Sequence, residues 1–191
     1  MRLFLARHAR VEPDADQGSV SRPSFPRLAR AMTGGTGIDC AENSLSERGL
    51  AQAHYLGEIL CAVQPRIDRV FCAPGPECRA TAGALQSRLS AEVRVCEPLD
   101  AGAPVAQALA LLHEHANARS LVIVGANPLL GELLTTLAGG IGARHLTVRQ
   151  GELVEMHVRI AQPIGTGRIL RRWRLEALER VGAGLPLRRS A

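Results

Sequence analysis

A chain of 191 residues, 46% hydrophobic and 21% charged, has the composition of a single globular domain with a substantial core. No apolar run approaches the roughly 20 residues of a membrane span and no leader precedes the first apolar segment, so the expectation is a cytoplasmic protein with no membrane partner. The net charge of +5 raises a nucleic-acid partner, but all 23 basic residues are arginine and only 3% of the chain is aromatic, which is poor in base-stacking platforms and argues against one.

The chain opens with Leu3-Phe4-Leu5-Ala6-Arg7-His8-Ala9. Consecutive apolar residues followed by a charged pair predict a strand buried on both faces, with Arg7 and His8 where it leaves the sheet. Ligands of open α/β sheets collect at these carboxyl ends, where an imidazole can attack a phosphoryl group while a guanidinium grips its oxygens. The stretch from Val11 to Asn43 is rich in Pro, Gly and Asp and predicts a long loop, an insertion or lid, with a short helix over Phe25 to Met32.

Ser46 is the expected N-cap of a helix whose inner stripe is Leu50, Ala53, Leu56, Leu60 and Val63, ending at Pro65. Asp68 to Cys72 predicts a strand, and Glu77 to Leu89 a helix with Ala80, Ala84, Leu85 and Leu89 inward. A brief strand over Val93 to Val95 follows, then a helix marked by Ala106, Leu109, Leu112 and His113. Leu121 to Val124 is a buried strand that turns through Gly125-Ala126-Asn127-Pro128 into a helix ending near Leu137. Alternation in Val154 to Ile160 and Ile169 to Leu175, separated by Gly165-Thr166-Gly167, predicts an antiparallel hairpin at one edge. The whole is an α/β three-layer sandwich, its central sheet mostly parallel, in a single domain over residues 1–191.

Four elements in this order carry a resemblance: Arg7-His8-Ala9 after the first strand, Leu45 to Gly49 opening the first helix, Arg69 to Pro74 with Thr81-Ala82, and Leu121 to Pro128. The chain resembles the histidine phosphatase (phosphoglycerate-mutase-like) superfamily, above all its small phosphohistidine-phosphatase branch. The resemblance implies a covalent phosphohistidine on His8, with two arginines and a second histidine holding the oxygens. It implies no metal or cofactor. The five cysteines, Cys40, Cys61, Cys72, Cys78 and Cys96, show no zinc spacing and read as reduced, buried thiols.

Arg7 and His8 fit the first arginine and the nucleophile. The second arginine is expected three residues beyond Pro74, and Glu77 stands there. The second histidine is expected after Gly125, and Ala126 stands there. Counting from Pro76 instead makes Arg79 the second arginine, while displacing Thr81-Ala82. His113, His115 and His145 read as helix-surface or loop residues, and Glu12 as a solvated loop carboxylate. Asp100 reads equally as a pocket residue or a cap, and Asn127 as a cap of the following helix whose backbone N–H groups can still bind an anion.

The expected function is a degenerate histidine phosphatase, with little or no turnover, that binds a phosphorylated small molecule or phosphoprotein through Arg7, Arg79 and Asn127. One alternative is an active phosphatase of phosphohistidine or phosphomonoesters, with His8 as nucleophile. Another is a polyanion binder using the arginines from Arg168 to Arg174 and Arg188-Arg189.

Overall fold

The computed structural model describes residues 1–11 and 45–175. The anticipated helix over Phe25 to Met32, Glu12, Cys40, Arg188-Arg189 and all but the first residue of the anticipated lid lie outside them. In chain order the elements are β1 (Arg2–Arg7), α1 (Glu47–Val63), β2 (Arg69–Cys72), α2 (Pro76–Gln86), β3 (Val93–Val95), a 3-10 turn (Glu97–Leu99), α3 (Val105–Glu114), β4 (Ser120–Gly125), α4 (Leu129–Gly139), β5 (Glu152–His157) and β6 (Arg168–Arg174).

These strands form one sheet in the order β3-β2-β4-β1-β5-β6. The pairs β2–β3, β2–β4 and β1–β4 are parallel, and β1–β5 and β5–β6 antiparallel. Leu3 to Ala6 and Leu121 to Val124 are fully buried, so both faces of the central strands are covered. The covers are two helix pairs, α1 with α2 and α3 with α4. From β1 the chain passes over β4 to reach β2, and from β4 it passes over β1 to reach β5. Their exits therefore diverge side by side, a topological switch point where such sheets open a crevice. Among the described residues no helix is long and apolar enough to cross a membrane.

Three expectations about packing are corrected. In α1 the inner stripe is Gly49, Ala53, Leu56 and Leu60, and Leu50 is 46% exposed. The helix is rotated because Gly49 lies against the main chain of Arg10, where an added Cβ would stand 2.0 Å from the carbonyl oxygen. In α2 the buried residues are Cys78, Thr81, Ala82 and Leu85, while Ala80 and Ala84 are half-buried, because Thr81 is tied inward to β1. In β6 the simple alternation fails at a bulge opposite Glu155 and Met156, which leaves Leu170 44% exposed. Of the thiols, Cys72 and Cys78 are buried, while Cys61 and Cys96 are only half-buried.

Candidate functional site

The exit of β1 is fixed on every side. The His8 N–H donates to the Gly125 carbonyl on β4 (3.0 Å), and the Gly151 N–H donates to the His8 carbonyl (3.1 Å). One residue on, the Ala9 N–H donates to Thr81 Oγ1 (3.0 Å), whose own hydroxyl donates to the Glu77 carbonyl (2.7 Å). Beyond it, the Arg10 carbonyl accepts from Ser46 N–H (3.0 Å) and Ser46 Oγ (3.1 Å), and Ser46 Oγ accepts the Gly49 N–H that starts α1 (3.1 Å). The Leu45 to Gly49 motif is thus the cap of α1 and its clamp on β1.

The His8 ring is 7% exposed, with Nδ1 2.9 Å from the carbonyl oxygen of Ala9. A carbonyl only accepts, so Nδ1 carries the hydrogen and Nε2 of the neutral ring keeps its lone pair. Burial pushes the His8 pKa below the ordinary imidazole value. The bond to Ala9 and the Glu77 carboxylate oppose that shift, and Arg7 adds to it. The neutral ring with a free Nε2 is the form a nucleophile needs.

Arg7 donates from Nη1 to the Val148 carbonyl (3.0 Å), and Asn127 donates from Nδ2 to the same oxygen (3.1 Å). Asn127 therefore does not cap α4 as anticipated; that position belongs to Pro128, one residue before the first turn. The side chain is drawn instead toward the segment before β5. Two buried polar atoms here, Arg7 Nε and Asn127 Oδ1, have no partner among the described residues. Burial also lowers the Arg7 pKa from its ordinary value.

The other wall is the β2–α2 turn. Glu77 is the second residue of α2, and its carboxylate opposes the lowering of the His8 pKa. It folds over Gly75, where a Cβ would meet Glu77 Oε1 at 2.8 Å. Arg79 is half-buried two residues on, about 200° around the helix from Glu77. Ala126 is buried, as the residue between β4 and Asn127. No imidazole is among the groups that shift His8. His113 is exposed on α3, His115 stacks on Phe71 with ring centres 4.7 Å apart, and His145 lies against Gly131 of α4. Asp100 is exposed and its Oδ1 accepts the Gly102 N–H (2.9 Å) in a tight turn.

Cys78 is buried beneath Glu77, its Sγ 4.0 Å from Oε1. Burial, reinforced by Cys72, Glu77 and Asp100, raises its pKa far above that of a free thiol, so it stays protonated and non-nucleophilic. Among the described residues no cluster of three or more His, Cys, Asp or Glu is placed to hold a metal ion. The arginines of β6 lie on an edge strand, and Arg172 is engaged with Glu152 (3.3 Å) and the Thr147 carbonyl (2.6 Å).

The sequence reading missed the third wall, residues 148–152. Gly151, at φ +62, leaves no room for a Cβ beside Gln52, while Glu152 Oε2 accepts the Arg149 N–H (2.7 Å) and holds the turn. The only sequence signal was a glycine just before an alternating strand. The function of Thr81 was equally hidden, since its side chain bonds to a main chain 72 residues away.

No family model matches the sequence, and no curated protein matches it. Solved structures do. The protein histidine phosphatase SixA, determined with tungstate, superposes with a TM-score of 0.69 at 19% identity, over 93% of this chain and 99% of that one. The alpha-ribazole phosphatase from Shigella flexneri gives 0.58 at 19% identity, over 89% and 96% of the two chains. A mycobacterial glucosyl-3-phosphoglycerate phosphatase complexed with VO3 gives 0.60 at 16%, over 90% and 98%. The described residues therefore have the histidine phosphatase fold, as the motif order implied.

Proposed function

We propose that this chain is a degenerate histidine phosphatase that keeps part of an oxyanion site at His8, turns over phosphate esters slowly or not at all, and acts by binding a phosphorylated small molecule or phosphoprotein. The observation that carries this reading is Glu77. The chain from Ala9 through Thr81 fixes its main chain beside the β1 exit, and its carboxylate acts on His8 where the resemblance calls for a second guanidinium. Phosphoryl transfer depends on positioned positive charge. Loss of one such donor typically costs about 10²–10³ in rate, and Ala126 marks a second loss. Arg7 and Asn127 remain to meet an anion.

The test is turnover of an aryl phosphate and a phosphohistidine peptide by the full chain and by His8→Ala. The expected result is the same near-background rate for both, with inorganic phosphate still perturbing the His8 ring in NMR spectra. Robust turnover abolished by His8→Ala overturns the reading.

One observation favours a second reading, an active phosphatase: the tautomer that leaves Nε2 unprotonated and neutral. In it the Nε2 lone pair forms a P–N bond as the ester P–O bond breaks, and water later displaces phosphate from His8. Acid-labile, base-stable label on His8 after quenching with substrate is its signature; absence of label removes it. A polyanion-binding role for β6 predicts a steep salt slope of binding, and a flat one removes that reading.

A further inference from the structure

The formal charges around His8 are segregated. On the β1 side stands Arg7, which donates to a main-chain carbonyl and, among the described residues, pairs with no carboxylate. On the β2 side stands Glu77, at the start of α2, which follows β2. The Glu77 carboxylate lies over Gly75, with its Oε1 4.0 Å from the buried Cys78 Sγ. Among the described residues no salt bridge pairs a guanidinium with Glu77. The His8 imidazole between the two sides is neutral. A simple phosphate dianion placed at His8 gains from Arg7 and is repelled by Glu77. A ligand with a positive group next to its oxyanion gains on both sides.

We infer that the His8 site selects a zwitterionic ligand, a phosphoryl group toward Arg7 with an ammonium group a few bonds away toward Glu77, and that Glu77 is the specificity-determining residue. This inference rests on the proposed retention of an oxyanion site. Glu77 is suited to the task because its main chain cannot drift: Thr81 holds it to the residue after His8. Its carboxylate is half-buried, which strengthens its action on a nearby charge relative to open solvent.

The probes are phosphoethanolamine and propyl phosphate, which match in length and differ in the ammonium group, titrated calorimetrically into the full-length chain with NMR observation of His8. The expected result is about 10- to 100-fold tighter binding of phosphoethanolamine. In Glu77→Gln the ratio falls to near unity, because propyl phosphate tightens and phosphoethanolamine weakens. Equal affinities in the wild type, or a preference that survives Glu77→Gln, overturn the inference while leaving the oxyanion site standing. If neither compound binds the wild type or Glu77→Gln, the oxyanion site itself is gone, and the proposed function falls along with its ligand.

Discussion

The exits of β1 and β2 sit two strands apart at the same edge of the sheet, yet they have fared differently. At β1 everything needed to present an imidazole is in place: a neutral ring, an orienting carbonyl, a guanidinium alongside, and main-chain bonds to β4 and to the turn before β5. At β2 the scaffold is equally well built, with a proline-started helix and the Thr81 tie, but the side chain it presents is a carboxylate. The fold keeps each backbone position through bonds that do not depend on the side chain displayed there. The side chain displayed at one exit can therefore change without displacing the main chain of the other.

The largest expected effects come from breaking the shared scaffold. Gly49→Ala places a methyl group 2.0 Å from the Arg10 carbonyl oxygen, and neither main chain can yield easily. A loss of about 3 kcal/mol in chemical denaturation is expected, at the upper end of overpacking costs. Next, Thr81→Val keeps shape but leaves the Ala9 N–H and Glu77 carbonyl without their shared partner. A loss of about 2 kcal/mol is expected, within the range for buried groups left unpaired. A Thr81→Val chain as stable as the wild type would show that the two exits are not coupled through this hydroxyl.

Most of the fold was legible because its signals are local. The unbroken apolar runs of β1 and β4 announce strands buried on both faces, Ser46 marks a helix start where the structure has it, and the helix expected from Glu77 begins one residue earlier, at Pro76. The helix rotations were not legible. Leu50 looks like a core residue until Gly49 is seen pressed against Arg10, and Ala80 and Ala84 look inward until Thr81 is seen bound to β1. At the site, the Arg7-His8 pair at the end of β1 and the place of Glu77 in the first turn of α2 could be read from the sequence. The part played by Val148, whose carbonyl collects both Arg7 and Asn127, could not, since a main-chain acceptor leaves no mark on the residue that carries it.

Asn127→Ala removes one of two donors to the Val148 carbonyl and leaves Arg7 in place, so about 1 kcal/mol of stability is at risk, measured by the same denaturation. The smallest effect is the most direct on the contrast between the exits. Glu77 raises the His8 pKa against the stronger lowering by burial, so Glu77→Gln moves it further down, an effect read from ring chemical shifts across a pH series. The consequence for stability has a definite sign. His8 is harder to protonate in the folded chain than in the unfolded one, so it has no influence above the ordinary imidazole pKa of 6.5. As pH falls through that value the unfolded chain takes up the proton first, and stability declines until the folded pKa is passed. Glu77→Gln extends this decline to lower pH. The unfolded-state titration is common to both chains, so the difference in unfolding free energy between wild type and variant should stay constant until pH falls to the folded His8 pKa of the wild type and change below it. A His8 titration unmoved by Glu77→Gln would mean the carboxylate does not face the imidazole, and the inverted exit would then have no electrostatic hold on the intact one.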